Sequence, residues 1–97
     1  MVIPKEHYED IFDAPQELIS CIHCATKQVA LAVQKTTQAD GISITQQNGR
    51  AAGQDIFHLH VHIIPRYEGQ KLPLFSEVSA ADREKLRQTA AKIRQYI

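Results

Sequence analysis

The chain has 97 residues and a hydrophobic content of 43%, which suffices for one modest core, and we expect no second domain. Eleven basic residues balance eleven acidic ones, so the net charge does not favour a nucleic-acid polymer or an anionic membrane as a partner. No apolar stretch approaches the roughly 18 residues that span a bilayer, and no export signal opens the sequence, so we expect a single cytoplasmic domain over residues 1–97.

A long helix is predicted in the first half of the chain. Residues 1–5 are similar to the end of a strand that enters a turn. Asp13, with a proline two residues later, predicts a helix start capped by the aspartate. Gly41 predicts the stop signal of this helix. Between these points, apolar and small side chains recur at three- and four-residue spacing and predict one buried face: Leu18, Cys21, Ile22, Ala25, Val29, Ala32 and Val33.

Cys21 and Cys24 form a C-x-x-C within this helix. A redox pair normally opens a helix after a strand, and a zinc site that also used His23 would need further ligands. Both functions are less favoured than a structural one. We therefore expect reduced cysteines that act as small helix residues filling space.

The centre of the chain alternates in the manner of β-strands. Residues 42–46 predict one strand, and residues 47–55, with two glycines and little bulk, predict a loop. Residues 57–65 then place three histidines at every second position with apolar residues between them, which predicts a strand with all three imidazoles on one face. Residues two apart along a strand are spaced by about 6.6–6.8 Å, so the rings would form a row within reach of one small ligand.

The C-terminal third predicts an exposed excursion followed by a helix. Residues 66–73 show no period, and the stretch Ser79-Ala80-Ala81-Asp82 is similar to a capping box. Apolar residues after it form one stripe of a helix: Leu86, Ala90, Ile93 and Ile97. Together these elements predict an α+β fold, an antiparallel sheet with one long central helix and a C-terminal helix.

The histidine row and the glycine loop before it suit a phosphate. Glycines allow backbone N–H groups to approach an anion closely, and an imidazole can attack a phosphorus held against it. A metal site on the three rings is the main alternative, but no carboxylate or fourth ligand is well placed for it. A purely structural row is less favoured, because each buried ring would need a polar partner.

These residues resemble the signature of the histidine triad (HIT) superfamily of nucleotide hydrolases and transferases. The resemblance rests on Asn48-Gly49, on Ala52-Gly53-Gln54 and on His58-Leu59-His60-Val61-His62-Ile63-Ile64, and it extends to the early segment Val2-Ile3-Pro4-Lys5-Glu6-His7. It implies an α+β fold of the HIT type and a homodimer. It also implies a purine nucleotide or a nucleoside phosphoramidate as the substrate, with no cofactor or metal required.

The resemblance also implies a role for each triad histidine. His60 would attack the α-phosphorus and form a nucleotidyl-histidine, which water would hydrolyse. His62 would hydrogen-bond a phosphate oxygen, and His58 would orient the nucleophilic ring. The substrate-binding residues that the resemblance implies are Gln47, Asn48, Gly53, Gln54 and Asp55.

Two departures from the family pattern bear on function. Asp55 stands where the family's Hint and Fhit branches carry a hydroxyl residue, and a carboxylate there repels phosphate unless its backbone N–H binds or it donates a proton. Family segments that precede Val2 supply much of the nucleobase pocket, so we expect weak nucleotide affinity from residues 1–97 alone. A non-catalytic HIT-like module that binds nucleotides or proteins is therefore the alternative function.

Overall fold

The computed structural model describes residues 1–71 and 80–97. The predicted α+β fold is confirmed, with two helices and an antiparallel pair of strands in that part of the chain. The elements in chain order are α1 (Gln16–Thr37), β1 (Gly41–Thr45), a 3₁₀ turn (Arg50–Ala52), β2 (His62–Arg66) and α2 (Arg83–Arg94).

The sheet joins the strand before the loop to the end of the histidine segment. β1 and β2 are antiparallel, and Thr45 faces His62 in the register. Val2 adds a bridge to Val61, with each backbone N–H donating to the other residue's carbonyl at 2.9 Å. The first residues of the chain therefore lie against the histidine segment, which brings two distant parts of the sequence to one place.

The predicted strand over 57–65 is too long at its start, because the regular strand begins at His62. Residues before it pair instead with the irregular N-terminal segment, as where the Leu59 N–H donates to the Tyr8 carbonyl at 2.7 Å. The predicted alternation survives this change. Leu59 and Val61 are buried at 1% and 0% exposure, while His58, His60 and His62, which alternate with them, are only partly covered.

The core forms where the apolar side of this segment meets α1. Leu59 and Val61 pack with Ile22 of α1, and Leu18 and Ile19 cover the cluster from the same helix. Burying a leucine or valine fully contributes about 1.5–3 kcal/mol. The same contacts that stabilise the fold thus fix the backbone that carries the three histidines.

Both predicted ends of α1 are wrong. Pro15 is the N-cap, and it makes no side-chain cap hydrogen bond. The Asp13 carboxylate instead accepts from the Glu9 N–H at 3.2 Å, which closes the preceding turn. At the other end the helix stops at Thr37, because Gln38 adopts the left-handed conformation (φ 54°) that usually favours glycine.

The predicted space-filling role of the cysteines is also wrong, since Cys21 and Cys24 are free and exposed on α1. The buried position that the periodicity missed belongs to Thr26, which is 2% exposed. Its hydroxyl donates to the Ile22 carbonyl at 2.7 Å and so needs no partner outside the helix. A threonine whose hydroxyl is satisfied within the helix can therefore be buried, although a pattern based on apolar residues does not select it.

α2 begins one position after Asp82, whose side chain accepts from the Glu84 and Lys85 N–H groups. Asp82 is thus the N-cap itself, whereas in the predicted capping box Ser79 would be the N-cap and Asp82 would bond back to it. Ser79 lies outside the described residues. The predicted stripe is covered only in its middle, since Ala90 and Ile93 are half-buried while Leu86 and Ile97 are 55% and 67% exposed.

The exposed excursion predicted over residues 66–73 is confirmed only in part. Residues 67–71 are exposed, whereas Arg66 is the last residue of β2 and its Nε donates to the Ser43 hydroxyl at 3.1 Å. Residues 72 and 73 lie outside the described part. Within residues 1–71 and 80–97, neither helix is long and apolar enough to cross a membrane.

Candidate functional site

A cavity of about 690 Å³ lies on the histidine side of the segment that leads into β2. Apolar side chains from the start of the chain and from the strand form part of its wall, among them Ile3 and Ile64. The predicted site residues that line it are Gln47, Gly53, Asp55, His58, His60 and His62. Sequence reasoning thus brought together side chains that do share one concave surface.

His60 is held in one tautomer by its own segment. Its Nδ1 lies 2.6 Å from the His58 carbonyl oxygen, which can only accept a hydrogen bond. Nδ1 therefore carries the proton, and in the neutral ring Nε2 keeps its lone pair. A bare Nε2 on a ring that lines the cavity is a nucleophile available to a bound electrophile.

His58 is fixed through both of its ring nitrogens. Nε2 lies 3.0 Å from the Pro4 carbonyl oxygen, so Nε2 donates. Nδ1 lies 2.9 Å from Nδ1 of His7, and in the neutral ring it must then accept. This assigns the Nδ1 proton of the pair to His7. His58 links the N-terminal segment to the carbonyl that orients His60.

His7 is the site residue that sequence reasoning missed, since it is given no role there beyond its place in the family-like segment 2–7. It is exposed, yet its ring contacts His58 with centroids 5.1 Å apart. The resemblance of residues 2–7 to the family's strand end was the available signal. The contact depends on the pairing between Val2 and Val61, which no local pattern reveals.

His62 packs edge-on against His60, with ring centroids 4.9 Å apart and an interplanar angle of 87°. Burial lowers the pKa of His62 below its usual value, and positive charge on His60 and on the amino group of Met1 lowers it further. The Asp55 carboxylate opposes this shift. A neutral His62 at pH 7 can share hydrogen bonds with a bound oxygen without adding charge.

The loop between β1 and the histidines is held by a buried amide. Gln54 is only 3% exposed, and its Oε1 accepts from the Gly49 N–H at 2.7 Å. Its Nε2 donates to the carbonyls of Glu9 and Ile56 at 2.6 and 3.1 Å. The structure therefore places the predicted substrate ligand Gln54 behind the loop, where it joins three segments and does not line the cavity.

Asn48 is likewise engaged away from the cavity, since its Oδ1 accepts from the Ile11 N–H at 2.9 Å and from Gln46 Nε2 at 2.7 Å. Gly53 does line the cavity, with φ at 92° in the region that favours glycine. A Cβ at this position would stand 3.7 Å from Cγ of Gln47. The loop thus brings its backbone close to the predicted amide side chain.

Within residues 1–71 and 80–97, no three side chains of histidine, cysteine, aspartate or glutamate are grouped so that they could hold a metal ion. The ring nitrogens explain this absence for His58, which uses both of them on protein groups. His60 uses only Nδ1 in this way.

Residues 1–69 match the family profile described as the HIT domain. The chain therefore belongs to the HIT domain family, as the histidine row and the α+β fold around it indicate. Among solved structures, it is similar to a HIT-like protein from Bartonella henselae that is described as involved in cell-cycle regulation. The two are 39% identical with a TM-score of 0.89, over 98% of this chain and 68% of the other.

The chain is also similar to two longer proteins of the same family, one uncharacterised and one named for an activity. An uncharacterised HIT-like protein of Methanocaldococcus jannaschii is 44% identical over 84% of this chain and 64% of its own length. An adenylylsulfatase of Arabidopsis thaliana is 38% identical over 70% of this chain and 34% of its own length. The chain thus spans less than two thirds of the length of either relative.

Proposed function

We propose that this chain is a nucleotide hydrolase or transferase that cleaves a nucleoside phosphoramidate or a dinucleotide at the α-phosphate. The observation that carries this function is the 2.6 Å contact between His60 Nδ1 and the His58 carbonyl oxygen, which leaves Nε2 unprotonated beside the cavity. Family membership supports the same class of chemistry, and one relative is named for an activity on an adenylyl compound.

The reaction would proceed in two substitutions at phosphorus. The Nε2 lone pair of His60 forms a bond to the α-phosphorus, the bond to the leaving nitrogen or oxygen breaks, and the leaving group takes that electron pair and a proton from solvent. Water then attacks the same phosphorus, the bond to Nε2 breaks with its electrons returning to the ring, and the water proton goes to solvent. The products are a nucleoside monophosphate and the free leaving group.

The remaining residues of the cavity have supporting roles in this scheme. His62 would hydrogen-bond a phosphoryl oxygen, and Gly53 would let the loop backbone approach the phosphate. Gln47 would contact the phosphate or the leaving group. The apolar wall that includes Ile3 and Ile64 suits a nucleoside, with a purine as the proposed base. No cofactor is needed, because the imidazole supplies the nucleophile.

We also propose a homodimer that uses the outer side of α1 and β1. In the described part of the chain, β1 pairs with β2 on one edge and has no strand on the other. Leu31 of α1 and Ile44 of β1 are each 49% exposed and line the same shallow cleft. Open strand edges and exposed apolar groups favour association. Sedimentation of the wild type and of Ile44→Asp tests this, and equal monomer masses for both would contradict it.

A fluorogenic adenosine phosphoramidate separates the enzyme from a non-catalytic binding module. The wild type should release the fluorophore, and His60→Ala should lose at least about 100-fold in rate, as expected for removal of a nucleophile. Gln28→Ala is the control, because Gln28 is exposed on α1 and lines neither the cavity that holds the triad nor the cleft proposed for the dimer. Equal rates for the wild type and His60→Ala would leave the non-catalytic module as the function.

A further inference from the structure

The charge of the cavity is unusual for a site that handles phosphate. Asp55 lines it with the three histidines, and no lysine or arginine of the described residues does so. The sequence of residues 72–79 contains neither residue type. Arg50, in the adjoining 3₁₀ turn, lies over the Phe57 ring at 5.8 Å and is not part of the wall.

The Asp55 carboxylate has no ion-pair partner among the described residues. Its field reaches the reacting groups, since it opposes the lowering of the His62 pKa. His62 itself is kept from charging near neutral pH, so it does not neutralise the carboxylate there. The amino group of Met1 is a positive charge within range of the same ring. An anion that enters next to Asp55 meets repulsion from the carboxylate, which the Met1 amino group opposes but no lysine or arginine side chain of the described wall does.

The repulsion from Asp55 depends on the charge of the leaving group. A polyphosphate leaving group brings further negative charge to the site, whereas a phosphoramidate can carry an amine whose far end is a cation. For unit charges several ångströms apart in a solvent-filled cleft, the difference amounts to about threefold to tenfold in affinity or rate.

We propose that Asp55 makes the site selective for phosphoryl substrates whose leaving group carries a positive charge, over substrates whose leaving group is neutral or anionic. This selectivity rests on the proposed function, because it concerns the leaving group of the same reaction. The class of substrate is a nucleoside phosphoramidate of a diamine or of another amine with a second, cationic group.

Three adenosine 5′-phosphoramidates of one chain length test the selectivity. Their leaving groups are 1,4-diaminobutane, 4-aminobutanol and 4-aminobutanoate, which present a cation, a neutral hydroxyl and an anion at the same position. Both kcat/KM and the Kd for each compound are measured with the wild type, Asp55→Asn and Glu17→Gln. Glu17 lies in the first turn of α1, outside the cavity wall, and its variant removes the same charge elsewhere.

The wild type and Glu17→Gln should favour the cationic compound over the neutral one, and the neutral one over the anionic one, by about threefold to tenfold at each step at low salt. Asp55→Asn should bring the three values together. The same order in wild-type Kd without turnover would refute the hydrolase function while supporting the selectivity. Equal values for the wild type, an unchanged order in Asp55→Asn, or no binding of any compound would overturn the role of Asp55.

Discussion

His7 and His58 face each other through Nδ1 at 2.9 Å, across 51 positions of sequence. Because Nε2 of His58 donates to the Pro4 carbonyl, the neutral pair has a single arrangement in which His7 donates and His58 accepts. The N-terminal segment thus fixes the ring whose backbone carbonyl orients His60. The site is therefore completed by a residue that lies far from the histidine row in sequence.

Replacing His7 should slow the reaction without abolishing it. His7→Ala removes the donor to His58 Nδ1, and the loss of one hydrogen bond of about 0.5–1.5 kcal/mol corresponds to roughly a 2- to 13-fold lower kcat. His7→Asn keeps an N–H donor of similar reach and should recover most of the rate. Nitrogen chemical shifts of the His58 ring should change in His7→Ala and stay near wild type in His7→Asn. An unchanged rate and unchanged shifts in both variants would show that the contact has no influence on the site.

The free energy of unfolding should depend on pH through His62. Its pKa is lowered in the folded chain, mainly by burial and then by His60, so between that value and the usual 6.5 the unfolded chain binds more protons. Stability is then highest above this window and decreases as the pH falls through it. His62→Asn should flatten this part of the profile, measured as urea midpoints between pH 7.5 and 5. A profile as steep in His62→Asn as in His23→Asn would contradict the assignment to His62.

Gln54 should matter more for stability than its polar character suggests. Gln54→Ala leaves the Gly49 N–H and two carbonyls without their partner, which costs about 2–4 kcal/mol at roughly 1 kcal/mol for each hydrogen bond. Gln28→Ala, at an exposed site on α1, is the control and should change stability by less than about 0.5 kcal/mol. Denaturant unfolding of the three proteins gives the comparison. Equal effects of the two substitutions would mean that the buried amide does not hold the loop.

Gly53 and Gly41 offer a matched pair for the loop backbone. An alanine at Gly53 must adopt φ near 92°, whereas Gly41 has no positive φ and its added Cβ would meet nothing within 4 Å. Gly53→Ala should therefore cost about 1–2 kcal/mol of stability and Gly41→Ala close to none. Thermal unfolding with activity assays on both variants is the measurement. A larger loss at Gly41 than at Gly53 would refute the argument from φ.

The spacing of apolar residues predicted where the helices and strands lie more accurately than it predicted where they begin and end. The three- and four-residue spacing located α1, and the alternation around the histidines predicted that Leu59 and Val61 are buried. The end of α1 at Gln38 could not be predicted in the same way, because a non-glycine residue rarely takes the left-handed conformation. The strand start at His62 depends on what pairs with the segment, and the segment's partner is the irregular N-terminus.

Sequence alternation predicted which side chains of the histidine segment share a face. It could not predict contacts with residues that are distant in sequence. The face shared by His58, His60 and His62 follows from the period of an extended chain, so all three line the cavity. An amide such as Gln54 can bind a ligand or its own backbone, and sequence does not distinguish the two. The contact between His7 and His58 requires the tertiary fold, which no spacing within one segment encodes.

The covalent state of His60 during turnover tests the account most directly. Rapid quenching of the wild type with an adenosine phosphoramidate, followed by peptide mass spectrometry under alkaline conditions, should show one adenylyl group attached to His60. The group should be absent from His60→Ala and present in His23→Ala. Steady turnover with no adenylyl group on His60, or with the group on another side chain, would contradict the assignment of Nε2 of His60 as the nucleophile.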